Sequence, residues 1–215
     1  MEITWYGHAC FRLAERSLAT VVTDPYDAKQ AGYEPLRLKA DVVTVSYNSP
    51  THNFTEAVKG GAHPITGPGE FEIGGVFITG VQTNGVSKKE EIRNTLFLFD
   101  YNGITIAHLG EINRVPTQTE VEALGSVHIA LVPVGGGSSL NAAKAAEVIS
   151  LLEPNIVIPM LYNTPGSTLK LDTLAKFLKE MGLGDVEKQP SLKVTSKSSL
   201  PDETRITILE IQRGS

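Results

Sequence analysis

The sequence predicts an α/β fold in which two sheets pack face to face with helices outside them, a four-layer arrangement. Three observations lead there. The first half reads as short β-rich runs separated by turns. The second half alternates helical segments with apolar strands of the buried kind. No stretch of Pro, Gly or Ser is long enough to divide the chain, so residues 1–215 are read as a single domain.

Taken in order, residues 3–6, 10–13 and 18–23 are expected as strands of an antiparallel meander, punctuated by Gly7 and by Glu15-Arg16. The run DVVTVS at 41–46 is a buried strand that opens into a polar loop over 47–53, with a short helix over 54–59. Residues 71–81 and 95–101 are further strands. Asn102-Gly103 then supplies a hairpin turn, because both positions tolerate the left-handed backbone, and residues 104–108 return. Helical spacing covers 117–124, 139–152 and 171–181, the last closed by Gly182. Strands are expected at 127–134, 155–160 and 204–211. In such a fold the strand-end loops gather along one edge, where a rigid frame can present polar groups.

Composition narrows the function. A hydrophobic fraction of 41% is ample for a core, whereas 7% aromatics offer few stacking platforms for bases. The net charge of −5, with no basic block, speaks against nucleic acid as a partner. Cys10 is the one cysteine, so no intrachain disulfide forms, which fits a reducing compartment. There is no charged leader before an apolar run and no apolar stretch of membrane-spanning length. A soluble, cytoplasmic protein without a membrane partner is expected.

Four segments carry chemistry. His52 lies in the loop after the 41–46 strand, either as a reactive imidazole or inside a turn whose Thr51 or Asn53 caps the next helix. Glu111 follows His108-Leu-Gly at a strand end, either as a ligand or base or as a solvated loop acid. His8 sits in the turn of GHACF, either hydrogen-bonded and structural or a ligand, beside a buried and inert Cys10. Gly135-Gly136-Gly137 with Ser138 and Ser139 opens a helix. It is either an anion cradle or, preferred here, a tight turn with a serine cap, since it matches neither the dinucleotide fingerprint nor the P-loop.

The order of GHACF, Thr23-Asp24-Pro25, DVVTVS with its loop, GPGEFEI at 67–73, His108-Leu-Gly-Glu111, LVPVGG and Ile158-Pro-Met-Leu-Tyr162 resembles the metallo-β-lactamase superfamily. The nearest branch is the small bacterial hydrolases similar to ascorbate-phosphate lactonase. The resemblance implies an αβ/βα sandwich with a metal site at the sheet edge. It also implies a ligand phrase, His-x-His-x-Asp-His, that here reads Tyr47-Asn48-Ser49-Pro50-Thr51-His52. The next histidine position falls near Gln82-Thr83-Asn84, the bridging aspartate is Glu111, and the last histidine is Leu161. Of the matched positions, His52 and Glu111 alone keep ordinary donors, with His8 or His108 as replacements if either turns inward. Catalytic zinc takes three protein ligands plus water. The emptied pocket is expected to be lined by Tyr47, Asn48, Ser49, Thr51, His52, Asn84, Glu111 and Tyr162.

The reading is a non-catalytic binding or scaffold protein with a degraded metal site, without a resident cofactor, taking a small-molecule ligand and, by resemblance, forming a homo-oligomer. The alternative is an unusual zinc- or manganese-dependent hydrolase of small phosphorylated, lactone or phosphodiester substrates. In it His52 and Glu111 are catalytic candidates and His8, His52 and Glu111 the metal candidates. Metal-free acid–base chemistry by His52 with Glu111 ranks last, for want of a nucleophile.

Overall fold

Residues 1–85 and 92–213 are described by a computed structural model. The strands are β1 (Glu2–Trp5), β2 (Phe11–Ala14), β3 (Val21–Thr23), β4 (Leu38–Lys39), β5 (Val42–Thr44), β6 (Val58–Lys59), β7 (His63–Ile65), β8 (Gly69–Ile73), β9 (Val76–Gly85), β10 (Ile92–Tyr101), β11 (Ile104–His108), β12 (Ile129–Pro133), β13 (Ile156–Met160), β14 (Lys188–Gln189), β15 (Leu192–Lys193), β16 (Arg205–Ile206) and β17 (Ile208–Leu209). The α-helices are α1 (Ala28–Ala31), α2 (Gln118–Leu124), α3 (Ala142–Leu152) and α4 (Leu174–Glu180).

One sheet runs β15-β1-β2-β3-β5-β7 and the other β16-β13-β12-β11-β10-β9-β8. The expected α/β architecture of two packed sheets is what forms. The meander β1-β2-β3 is antiparallel, and β5 joins β3 in parallel with Thr23 opposite Thr44. In the second sheet β11, β12, β13 and β16 run parallel, as strands separated by helical crossovers do. Every residue of β12 and β13 is buried, because both faces are covered.

The main core lies between the sheets. It joins Trp5, Phe11 and Leu13 on one side to Phe97, Phe99 and Ile106 on the other. Each such side chain contributes about 1.5–3 kcal/mol by leaving water. The Tyr101 hydroxyl of β10 reaches the Ala19 carbonyl at 2.9 Å and ties the sheets at the far end. On the outer side of β12, α3 buries Ala145, Val148, Ile149 and Leu152 at helical spacing, and Asn141 caps it by accepting from the Lys144 amide. Thr117 and Glu120 form the reciprocal capping box of α2. A smaller core of Cys10, Val22, Tyr26, Leu36, Leu38, Val43 and Val45 covers the outer face of the first sheet.

Three expectations need correction. Residues 71–81 are not one strand but the hairpin β8–β9, turned at Gly74-Gly75, where both backbones are left-handed (φ 54° and 76°). The helix expected over 54–59 is one 3-10 turn, Thr55–Ala57, after which Val58 pairs with Leu38. Six residues cannot offset helix nucleation when a β-branched side chain finds a strand partner. The last strand is divided, β16 joining the second sheet and β17 pairing with β14. Among the described residues no helix is long and apolar enough to cross a membrane.

Candidate functional site

The site forms where β3, β5, β11 and β12 end side by side. Asp24, just past β3, is fully buried with a left-handed backbone (φ 40°). Its carboxyl accepts the Ser46 amide at 2.7 Å and the Ser46 hydroxyl, which pins the loop leaving β5. Burial pushes the Asp24 carboxyl up to about 8, against the two Ser46 bonds. The loop then folds on itself. The His52 and Asn53 amides donate to the Ser49 carbonyl, Asn53 Nδ2 donates to Asn48, and the Ser49 and Thr51 hydroxyls lie 3.1 Å apart. Neither Thr51 nor Asn53 caps a helix. The following 3-10 turn starts at Phe54 without a side-chain cap, so the capping role expected of this loop is not found.

His52 is wholly buried beneath that loop. Its Nδ1 lies 3.0 Å from the Thr51 hydroxyl, and its Nε2 lies 3.4 Å from Glu111 Oε2 without forming a hydrogen bond. Burial, then His8 and His108, hold its pKa well below the usual imidazole value. Glu111 is set by its backbone. The Glu111 amide donates to Asn94 Oδ1 at 2.8 Å, and Asn94 Nδ2 reaches Thr83 and the Leu109 carbonyl. Oε1 of Glu111 accepts the Ser138 hydroxyl, so the glycine-rich loop after β12 does reach the site, through a serine. Burial raises the Glu111 carboxyl above its usual range.

His8 has a left-handed backbone (φ 53°), and its ring centroid stands 4.7 Å from that of His52. Neither ring nitrogen has a hydrogen-bond partner. Burial, then His108, holds its pKa down to about 3. His108 is different in kind. Its Nε2–H donates to the Ala9 carbonyl at 2.9 Å and its Nδ1 accepts the Gly110 amide at 3.2 Å, so both nitrogens serve the backbone. Burial lowers it to about 4 even against the Ala9 bond. Cys10 is fully buried, and burial raises its thiol, as expected of an inert group.

A cleft of about 370 Å³ opens here, lined by Tyr47, Ser49, Thr51, Glu111, Ser138 and Leu161, with His8 at its wall. Four expected lining residues are elsewhere, the first being His52, which is wholly buried and does not line the cleft. Asn48 faces a neighbouring cleft of about 630 Å³ with Gln82 and Thr95. Asn84 is exposed, its carbonyl accepting Arg114 at 2.7 Å. Tyr162 points away from Leu161, as consecutive residues leaving a strand do, and packs on Trp5 in a separate cavity. Sequence reasoning passed over Asn94 and named Thr83 only within the stretch where the resemblance places a histidine. The structure pairs the two across β9 and β10, both buried, and no local sequence pattern announces that pairing.

A family model described as the β-lactamase superfamily domain matches residues 2–161. This chain belongs to the metallo-β-lactamase superfamily. A structure of a member from Thermotoga maritima superposes with a TM-score of 0.80 at 35% identity, covering 98% of this chain and 99% of that one. The UPF0173 metal-dependent hydrolase of Thermoplasma acidophilum is 27% identical over 76% of this chain and 84% of its own. A metallo hydrolase from Ignicoccus hospitalis shares the fold at 17% identity, with a TM-score of 0.66 over 90% and 99% of the two chains. The superfamily name implies metal, and both ring nitrogens of His8 and Nε2 of His52 lie buried without a hydrogen-bond partner, His52 Nε2 being 3.4 Å from Glu111. Among the described residues, however, no group of three or more His, Cys, Asp or Glu side chains is arranged to hold an ion. The remaining wall is hydroxyl and alkyl: Tyr47, Ser49, Thr51 and Leu161.

Proposed function

We propose that this chain is a binding member of its superfamily with a degraded metal motif, whose cleft receives a small polar molecule without hydrolysing it. The observation that carries the reading is the wall of Tyr47, Ser49, Thr51 and Leu161 where, by the resemblance, a ligand set belongs. A catalytic zinc needs three protein donors, and a second ion needs its own set. Hydroxyls are poor donors at neutral pH, since a tyrosine ionises about three units above it. Leucine offers no donor at all. With His108 committed to backbone groups, it cannot replace what is missing without breaking two hydrogen bonds.

The same wall suits a ligand rich in hydroxyl groups. Ser49, Thr51, Ser138 and Tyr47 can each donate and accept, and Lys170 at the cleft can meet an acid group. We place the chain in the branch similar to ascorbate-phosphate lactonase, which directs the search to hydroxylated acids and their phosphates. Metal analysis after loading with zinc or manganese and desalting is expected to find well under one ion per chain. Turnover of lactone and phosphodiester probes is expected to equal that of the H52A/E111A chain. A stoichiometric ion that survives desalting, or turnover abolished in H52A/E111A, overturns the reading.

The unpaired nitrogens of His8 and His52 favour a second reading, a one-metal hydrolase with Glu111 as the third donor. It requires one ion per chain, lost in both H8A and H52A. The converse experiment restores the motif. The chain carrying Y47H, S49H, T51D and L161H should acquire tight zinc binding, because the frame around the loop is intact.

A further inference from the structure

We propose that this protein has a second binding site, for a free aromatic zwitterion of amino-acid size, in the cavity behind Tyr162. The cavity measures about 600 Å³, within the roughly 300–1,000 Å³ typical of small-molecule sites. It is distinct from the cleft of Glu111: Leu161 lines the one and Tyr162 the other.

The walls give the first half of the argument. The chain has six tyrosines and one tryptophan, and Trp5, Tyr26, Tyr33 and Tyr162 all line this cavity. They form two tilted pairs, Trp5 with Tyr162 and Tyr26 with Tyr33, each with ring centroids 5.3 Å apart. Trp5, Tyr26 and Tyr162 are themselves buried and form an apolar floor, while the half-buried Tyr33 keeps ring surface open, so an inserted ring meets it offset or edge-on. The wall also holds a hydroxyl pair, Tyr33 with Thr164 at 2.7 Å.

The charges give the second half. Lys188 and Arg213 line the cavity together with Glu34 and Glu210, two of each sign. All four are exposed. Among the described residues none of them makes an ion pair with another, although they share one cavity. A ligand carrying a carboxylate and an ammonium satisfies both signs at once. The carboxylate accepts from Arg213 or Lys188, and the ammonium meets Glu34, Glu210 or a ring face. An uncharged ring would leave those groups unused, and a lone anion or cation would face two like charges.

Trp5, the only tryptophan, lines this cavity, and because its Nε1–H also donates to the carbonyl of His8 beside the other cleft, the charge variants decide which site a signal comes from. L-phenylalanine is titrated into the full chain with tryptophan-selective excitation, and calorimetry is run in parallel. Phenylacetate, phenethylamine, cyclohexylalanine and N-acetylphenylalanine amide serve as comparisons. The expected result is a saturable change for phenylalanine, with the three comparisons that lack a charge about tenfold weaker or more, since a charge-assisted hydrogen bond contributes about 1.5–3 kcal/mol, and with cyclohexylalanine, which keeps both charges, about threefold weaker for want of the ring contacts. The exposed-residue variant K188A/R213A should weaken phenylalanine and phenylacetate about tenfold and spare phenethylamine. E34Q/E210Q should do the reverse. No saturable signal by either method overturns the site. Equal binding of all the ring compounds, or indifference to all four charges, overturns the zwitterion. Tight binding of the N-acetyl amide shifts the occupant from a free amino acid to a peptide and overturns the proposal as stated.

Discussion

His108 and His52 lie close together at the ends of the sheets, yet their chemistry differs because of how many nitrogen atoms the backbone uses. Both nitrogens of His108 are bonded to main-chain groups, so the ring acts as a brace between Ala9 and Gly110. Replacing it with alanine leaves the buried Gly110 amide unpaired beside a cavity and the Ala9 carbonyl with the Thr23 hydroxyl alone. We expect H108A to lose about 3 kcal/mol or more in urea unfolding. H52A should lose less, because one edge of that ring bonds nothing. Equal losses would show that packing alone sets both. Asn94 is a second brace, and N94A should also cost about 2–3 kcal/mol, since its amide serves Thr83, Leu109 and Glu111. Of these residues, His52 and Glu111 were legible in the sequence because each follows a strand into a loop. Asn94 and Ser138 were not. They reach Glu111 from 17 and 27 residues away, and local pattern carries no record of such pairings.

Elements follow the same division between local and distant causes. The turn Asn102-Gly103 was readable because two left-handed residues are needed to reverse a twisted hairpin, and φ is 54° and 83° there. A Cβ on Gly103 meets nothing within 4 Å, so G103A should cost only the backbone strain, about 1–2 kcal/mol. Gly110 also has a left-handed backbone, but its Cβ would collide with Asn94 Oδ1 and with Ser46 Oγ. G110A should therefore cost several kcal/mol, on the order of 3 or more, and displace the Glu111 loop. Similar unfolding midpoints for the two variants would contradict this account. The buried strands β12 and β13 and the helix α3 were readable for an equally local reason, their unbroken or 3.6-spaced apolar pattern. The two-residue strands β14, β15, β16 and β17 were not, at least as separate elements. Each is too short to show a period and exists because a partner strand accepts it. The Gly74-Gly75 turn was missed although both residues were in view, because apolar residues continue on either side of it.

At the scale of the whole molecule, the buried ionisable cluster makes stability a function of pH with opposite slopes on its two sides. In the folded state His8 titrates near 3 and His108 near 4, and His52 is also held low, whereas unfolded histidines titrate near about 6.5. Between pH 6.5 and 4 the unfolded chain therefore binds protons that the folded chain refuses, so stability is lost as pH falls through that window. Asp24 acts in the other direction. Folded, it holds its proton up to about 8, while unfolded it releases it near about 3.9, so its contribution falls as pH rises towards 8. Glu111, also raised, adds to that side. Below pH 6.5 three imidazoles outweigh two carboxyls, and above it the imidazoles no longer change while Asp24 still does. Urea unfolding across pH 4–8 should thus show a maximum near pH 6.5. The chain carrying D24N should keep the acid limb and lose Asp24's share of the alkaline decline, since an amide has no proton to release, leaving only the share of Glu111. An undiminished decline in a chain carrying both D24N and E111Q would place its origin outside this cluster.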